Sequence, residues 1–240
     1  MDKRYSYYLI VIVLALAILF ALSPYINAPG SKNQTTSATE WLPTSNTGAH
    51  SIDISAISFL SVFVNPGSKT KILAEKNIND RLPVASISKL MTAIVAFNNY
   101  HPEEVIAISN KALDSKGRSW EFEPGEIFKV DDLLHVLLME SNNDAAEALA
   151  IRMGGTRFVE AMNLEVRNIG LKNTDFANPT GLDPDEADGL INYATAEDLF
   201  KITRDFLEKY PSLLNITSKK EYDLYTADGE FHHKIENTNE

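Results

Sequence analysis

The strongest constraint on this chain is the run from Tyr5 to Leu22, 18 residues without a charge, most of it the unbroken apolar stretch Leu9 to Phe20. As a helix rising 1.5 Å per residue it would reach roughly 27 Å, close to the ~30 Å hydrocarbon core of a bilayer. Residues 1–26 are therefore expected to form an N-terminal transmembrane helix. Lys3 and Arg4 precede the run and the next cation is Lys32. The positive-inside bias then leaves the N-terminus in the cytoplasm and everything after the helix outside. A cleaved signal peptide is the rival. The small-residue cleavage candidates ending at Ser23 and Ala28 are each followed by proline (Pro24, Pro29), an awkward place for a processing enzyme to cut, so a retained anchor is expected.

Beyond the anchor, residues 27–50 are rich in Asn, Ser, Thr, Gly and Pro with little apolar periodicity, the composition of a flexible spacer. Residues 51–240 have the pattern of one folded domain. Ile57 to Val64 and Lys71 to Lys76 are two strands joined by the turn signal Asn65-Pro66-Gly67-Ser68. Helical spacing runs from Ile87 to Phe97, from Val130 to Met139, from Ala145 to Met153 and from Thr156 to Ile169. Thr195-Ala196-Glu197-Asp198 has capping-box spacing and predicts a helix to about Tyr210, before Pro211. Glu221 to Tyr225 and Phe231 to Ile235 are strand-like. Strands at both ends of a helical middle indicate an α+β fold.

Composition removes several functions. With 22 Lys+Arg against 33 Asp+Glu the net charge is −11, so no nucleic-acid partner is expected, since a phosphate backbone demands clustered cations. Zero cysteines exclude disulfides, thiolate metal sites and a Cys nucleophile. Any nucleophile must come from Ser, Thr, Lys or a carboxylate.

Ser86-Ile87-Ser88-Lys89 opens the first apolar helix. Residues three apart share a helix face, so Ser86 Oγ and Lys89 Nζ can meet where first-turn N–H groups are unpaired. Burial behind Leu90 and Met91 would lower the lysine pKa and let a neutral amine take the hydroxyl proton, with the Ser86 N–H placed to stabilise an oxyanion. The plainer reading makes Ser86 a helix cap and Lys89 a solvated first-turn residue. The spacing alone is cheap, because Ser68-Lys69-Thr70-Lys71 repeats it in a polar turn without apolar backing. Ser141-Asn142-Asn143-Asp144 breaks the second helical run between apolar flanks. That pattern fits a short connection aiming polar groups into a cleft, and equally a helix stop and restart with Asn142, Asn143 or Asp144 as N-cap.

Ser-x-x-Lys, then Ser-Asp-Asn, then Lys-Thr-Gly is the signature of penicillin-binding proteins and class A β-lactamases. The likeness here extends past the motifs, through Asn65-Pro66-Gly67, Leu73-Ala74-Glu75-Lys76-Asn77, the run Arg81 to Ala93, Ser141 to Ala146, and Asn178-Pro179-Thr180-Gly181-Leu182-Asp183. Over about residues 57 to 240 the chain resembles the D-alanyl-D-alanine carboxypeptidases, the low-molecular-weight penicillin-binding serine peptidases. The resemblance implies a β-lactamase/transpeptidase-like fold, an antiparallel sheet flanked by helices plus a helical subdomain. It implies Ser86 as the acylated nucleophile, Lys89 as general base, Ser141 as the hydroxyl relaying a proton to the leaving D-Ala amine, and Asn143 as the residue holding the substrate amide and helping to fix Lys89. The implied partners are the peptidoglycan pentapeptide and β-lactam antibiotics, with no cofactor.

The sequence departs from the family at one point. No Lys-Thr-Gly occurs; the only Lys-Thr pair, Lys69-Thr70, precedes the nucleophile and lacks the glycine. The expectation is that residues 51–240 form a catalytic domain incomplete at its C-terminus, lacking the last sheet strands and inactive as a fragment. A class A β-lactamase is the nearest rival, but the segment Asn178 to Gly181 resembles the peptidase loop; a non-catalytic cell-wall-binding or sensor homologue is the rival from another class.

Other features carry less. Asp183, Asp185, Glu186 and Asp188 do not have calcium-loop spacing. His232-His233 on a strand should face opposite sides, poor geometry for sharing a metal, so no metal site is expected. His50, His101 and His135 are isolated, and Trp41 and Trp120 are too few for a stacking platform.

Overall fold

A computed structural model of the chain describes residues 54–64, 70–114, 122–184 and 189–238. The expected anchor, the spacer, the 65–68 turn, three of the acidic residues (Asp185, Glu186, Asp188), His50 and both tryptophans lie outside them. Among the described residues no helix is long and apolar enough to cross a membrane. They form helices together with antiparallel strand pairs, the α+β composition expected. Pairing comes as four two-stranded ladders rather than as one continuous sheet, because each strand finds its backbone partner in only one neighbour.

The chain divides into two compact units. The first holds the described residues up to Asp80 together with Thr195–Phe200. Here β1 (Phe59–Phe63) pairs antiparallel with β2 (Lys71–Lys76), and Leu73 is the extra residue of a bulge, since Ser61 faces Ala74 while Val62 faces Ile72. β1 is shorter than the expected 57–64 span. Its N-terminal end is closed instead by Asn77, whose Nδ2 donates to Ile57 O at 2.8 Å while Ser58 Oγ donates to Asn77 O at 3.0 Å.

The second unit, Arg81–Ala194 with Lys201 onward, holds every residue of the candidate chemistry. Two short ladders, β3 (Leu82–Pro83) with β6 (Tyr193–Ala194) and β4 (Val105–Ala107) with β5 (Ile127–Lys129), brace a group of helices. α1 (Lys89–Asn99) is central, with Met91, Thr92, Ala93, Ile94, Val95 and Ala96 all buried. A helix apolar on every side can only sit inside a core. After α2 (Asn110–Leu113) come α3 (Val130–Met139), α4 (Asn143–Met153) and α5 (Thr156–Asn168), and α1 packs against all three of these. α4 stops where expected, at Gly154, whose φ of +95° is the left-handed conformation that lets a helix end without a Cβ clash.

α6 (Ala196–Lys209) starts from Thr195, whose Oγ1 accepts from the Asp198 N–H at 3.1 Å, as the capping-box spacing indicates. Pro211 does not end the helical region. It opens α7 (Pro211–Thr217), where its missing N–H falls among groups that have no intrahelical partner anyway. The chain closes with the hairpin β7 (Glu221–Tyr225) and β8 (Phe231–Glu236).

That hairpin is fastened to α3 by a polar cluster. Tyr222 Oη donates to Asp132 Oδ1 at 2.6 Å, and its ring stacks on His135 with centroids 3.8 Å apart. Lys219 Nζ lies 2.7 Å from His135 Nε2, and His135 Nδ1 lies 2.8 Å from Asp131 O. An ammonium can only donate, so Nε2 is the acceptor and Nδ1 carries the proton. Burial also pushes the imidazole pKa below its ordinary value, which favours that neutral form. His135, isolated in the sequence, is thus a buried fastening.

The structure corrects the expectation for His232 and His233. Leu224 faces His233 and Tyr225 faces Phe231, so His232 is the unpaired residue of a bulge. The bulge breaks the alternation of faces and brings the two Nδ1 atoms to 2.6 Å. Among the described residues no group of three or more His, Cys, Asp or Glu could hold a metal ion.

Candidate active site

The turn that carries Ser86 is shaped before the helix starts. Pro83 pairs with Tyr193, and the Val84 N–H donates to Asn192 O at 3.1 Å, fixing the entering chain. Ala85 then takes φ +40°, which an L-residue adopts at a cost, and Ala85–Ser88 form a 3-10 turn ahead of α1. Ser86 therefore stands on this turn and not in the α-helix, a detail that apolar periodicity alone does not resolve. Ser88 Oγ donates back to Ala85 O at 2.7 Å and holds the strained residue in place.

The three-residue spacing brings its side chains together as expected. Lys89 Nζ lies 3.1 Å from Ser86 Oγ. Ser86 is exposed and Lys89 is 3% exposed, so the hydroxyl faces solvent while the amine behind it does not. Nζ also donates to Thr180 O at 2.8 Å. Both partners are neutral oxygens, and burial lowers the amine pKa from 10.5 to about 8. Roughly one such amine in ten is then uncharged at neutral pH, against fewer than one in a thousand for an ordinary lysine. The amine can accept the Ser86 proton without first being stripped of a carboxylate partner.

Thr180 belongs to a loop that short-motif reading does not connect to catalysis. Asn178 Oδ1 accepts from the Thr180 N–H (3.1 Å), Thr180 Oγ1 (3.0 Å) and the Gly181 N–H (2.7 Å), so one side chain locks the loop on itself. Gly181 is packed directly on the turn that carries Ser86. A Cβ built there would lie 1.8 Å from Ala85 O, and its φ is +83°. A signal for the loop was present in the buried Thr92, a lone hydroxyl in the run Leu90 to Val95, which donates to Pro179 O at 2.6 Å.

Ser141 and Asn143 sit where α3 gives way to α4. Asn142 supplies the cap, its Oδ1 accepting from the Ala145 N–H at 2.9 Å, so the helix restart is not the role of Ser141 or Asn143. Ser141 is exposed with φ +58°, a left-handed residue that turns the chain sharply between the helices. Such strain costs on the order of 1 kcal/mol and collects at functional sites. Thr238, just past β8, donates both its N–H (3.0 Å) and Oγ1 (2.9 Å) to Met139 O, which secures the last turn before Ser141. Ser86 and Lys89 are joined by a direct contact; Ser141 and Asn143 stand at the junction of α3 and α4, both of which pack on α1.

Comparison with known proteins gives a consistent result. A family model described as D-alanyl-D-alanine carboxypeptidase matches residues 45–240. The chain is 33% identical over 158 residues to the D-alanyl-D-alanine carboxypeptidase DacF of Bacillus subtilis, covering 63% of this chain and 39% of that protein. It is 35% identical over 146 residues to a D-alanyl-D-alanine endopeptidase of Pseudomonas aeruginosa, covering 59% and 45%. The chain thus spans less than half the length of these relatives. Among solved structures, penicillin-binding protein D2 of Listeria monocytogenes in its ampicillin-bound form matches with a TM-score of 0.59 and 30% identity, covering 71% of this chain and 68% of that one. The fold is that of the penicillin-binding and transpeptidase-like proteins.

Proposed function

The chain belongs to the D-alanyl-D-alanine carboxypeptidase family, and on that premise we propose that it is a serine-type carboxypeptidase that removes the terminal D-Ala from peptidoglycan stem peptides and is acylated by β-lactams. The observation that carries this is the buried Lys89 amine 3.1 Å from the exposed Ser86 hydroxyl.

In this reading Ser86 Oγ attacks the carbonyl carbon of the D-Ala-D-Ala bond while its proton passes to Lys89 Nζ. The Ser86 N–H stabilises the oxygen that becomes negative. As the C–N bond breaks, Ser141 relays the proton held by Lys89 to the leaving D-Ala amine, which leaves Lys89 uncharged. This leaves an ester between Ser86 and the shortened peptide. Lys89 then takes a proton from water, whose oxygen attacks the ester, and returns that proton to Ser86 Oγ as the ester bond breaks, which restores both groups. Asn143 holds the substrate amide and helps to fix Lys89. These steps balance with protein side chains and water alone, so no cofactor is invoked. A β-lactam imitates the scissile amide, and the ampicillin-bound relative supports that part of the reading.

In the full-length protein, a labelled penicillin should appear on the peptide containing Ser86, with D-Ala released from a pentapeptide in parallel. Ser68→Ala should change neither. Label that survives Ser86→Ala refutes the assignment, and labelling without D-Ala release favours a non-catalytic homologue. The anchor in residues 1–26 is part of the same proposal, with a cytoplasmic N-terminus and the catalytic domain outside. Protease added to intact spheroplasts should digest the domain; a mature protein starting near residue 24 or 29 leaves export standing and removes the anchor.

A further inference from the structure

Three successive carbonyls of the 178–180 segment accept from three side chains. Asn178 O accepts from Asn192 Nδ2 at 2.9 Å, Pro179 O from Thr92 Oγ1 at 2.6 Å, and Thr180 O from Lys89 Nζ at 2.8 Å. We infer that Asn192 and Thr92 are positioning residues for the general base, holding the first two carbonyls so that the third points at the Lys89 amine and turns its lone pair toward Ser86. The inference rests on the catalytic reading of Lys89 given above.

The chemistry of a primary amine makes such a fixture necessary. An uncharged amine has two N–H bonds and one lone pair, and it rotates about its last carbon–nitrogen bond. It accepts the Ser86 proton only when the lone pair faces Oγ, so its N–H bonds must be engaged elsewhere. Thr180 O supplies one such engagement; the Thr180 hydroxyl bonds within the loop, to Asn178 Oδ1 and the Leu182 N–H, and does not tie the loop to α1.

Asn192 and Thr92 do determine it. Asn192 uses both ends of its amide: Oδ1 accepts from the Ala177 and Asn178 N–H groups at 2.7 and 3.1 Å, and Nδ2 donates to Asn178 O and, at 2.8 Å, to Ser88 Oγ. It thereby ties the loop to the hydroxyl that braces Ala85. Thr92 lies three residues beyond Lys89, on the same face of α1. Asn192 and Thr92 are 3% and 0% exposed, so a displaced partner would leave buried polar groups unsatisfied, and that holds the arrangement to one geometry. On the far side Gly181 lies against Ala85 O, leaving the loop no room to slide inward.

The test reads Lys89 directly and needs no substrate. Competitive acetylation with acetic anhydride across a pH series, followed by peptide mass spectrometry, gives the titration midpoint of Lys89 in the full chain. Asn192→Leu removes the bonds at both ends of the amide without adding a charge; Thr92→Val keeps the volume and loses the hydroxyl. Each should move the midpoint upward, as water reaches the amine, by roughly half a unit, about a threefold fall in the ratio of uncharged to charged amine. Thr92→Ser should restore the parent value. The two variants act at different carbonyls, so either one that folds by circular dichroism decides the matter. A lower unfolding temperature with an unmoved Lys89 midpoint means that the residues only support the fold, and overturns the inference. Failure of the parent to bind penicillin at Ser86 would defeat the catalytic reading instead, while the titration still reports on the positioning.

Discussion

Lys89 and Lys234 carry the same side chain into opposite surroundings. Lys89 starts α1 behind the turn that carries Ser86, is buried, and donates to two neutral oxygens, Ser86 Oγ and Thr180 O. Lys234 is on β8, its side chain 46% exposed, 3.2 Å from Glu221 Oε1 and 3.5 Å from Asp223 Oδ1 on the facing strand. Burial pulls the first amine down to about 8, whereas the hydrogen bond to Glu221 raises the second above its ordinary value. One is poised to lose its proton and the other to keep it. What separates a base from a surface cation is therefore the company of the amine and its access to water, and a sequence spacing conveys only part of that.

Substitution at the two lysines should widen the contrast. Lys89→Met should slow Ser86 acylation about 10²–10⁴-fold, the usual share of a general base, without lowering the unfolding temperature, because an apolar chain of similar volume suits the site. Stopped-flow labelling and calorimetry measure the two effects. Gly181→Ala places a Cβ on Ala85 O at a left-handed φ and should cost on the order of 3 kcal/mol in urea unfolding, with acylation impaired as the turn shifts. A smaller effect follows from proton linkage. The folded Lys89 pKa of about 8 lies below the unfolded value near 10.5, so the unfolded chain binds more protons between those values and stability should rise with pH across that window. Equal slopes in the parent and Lys89→Met would contradict it. Lys234→Met should leave acylation unchanged, since an exposed ion pair contributes little; a clear loss of acylation would erase the distinction drawn between the two amines.

Much of this is legible in the sequence. The first hairpin, the strand character of 221–225 and 231–235, the central helix and the Ser86–Lys89 pair follow from side-chain periodicity and spacing, which are local properties of the chain. α7 was hidden because Pro211 signals both the end of one helix and the first position of another. The 3-10 turn under Ser86 depends on the φ of Ala85, which no residue pattern announces. The role of Asn192 was invisible for a different reason: it lies 104 residues from the Ser88 hydroxyl that it meets, and a single asparagine carries no periodic signal. His232 and His233 were expected on opposite faces, and a one-residue bulge reversed that.

The central claim is that an uncharged Lys89 activates Ser86, and the pH dependence of β-lactam acylation in the free enzyme tests it most directly. The rate constant for labelling at Ser86 should climb with pH and level off above about 8, and the inflection should vanish in Lys89→Met. A flat profile over roughly pH 6 to 10, or the same inflection persisting in Lys89→Met, would contradict the account and assign the proton to another group.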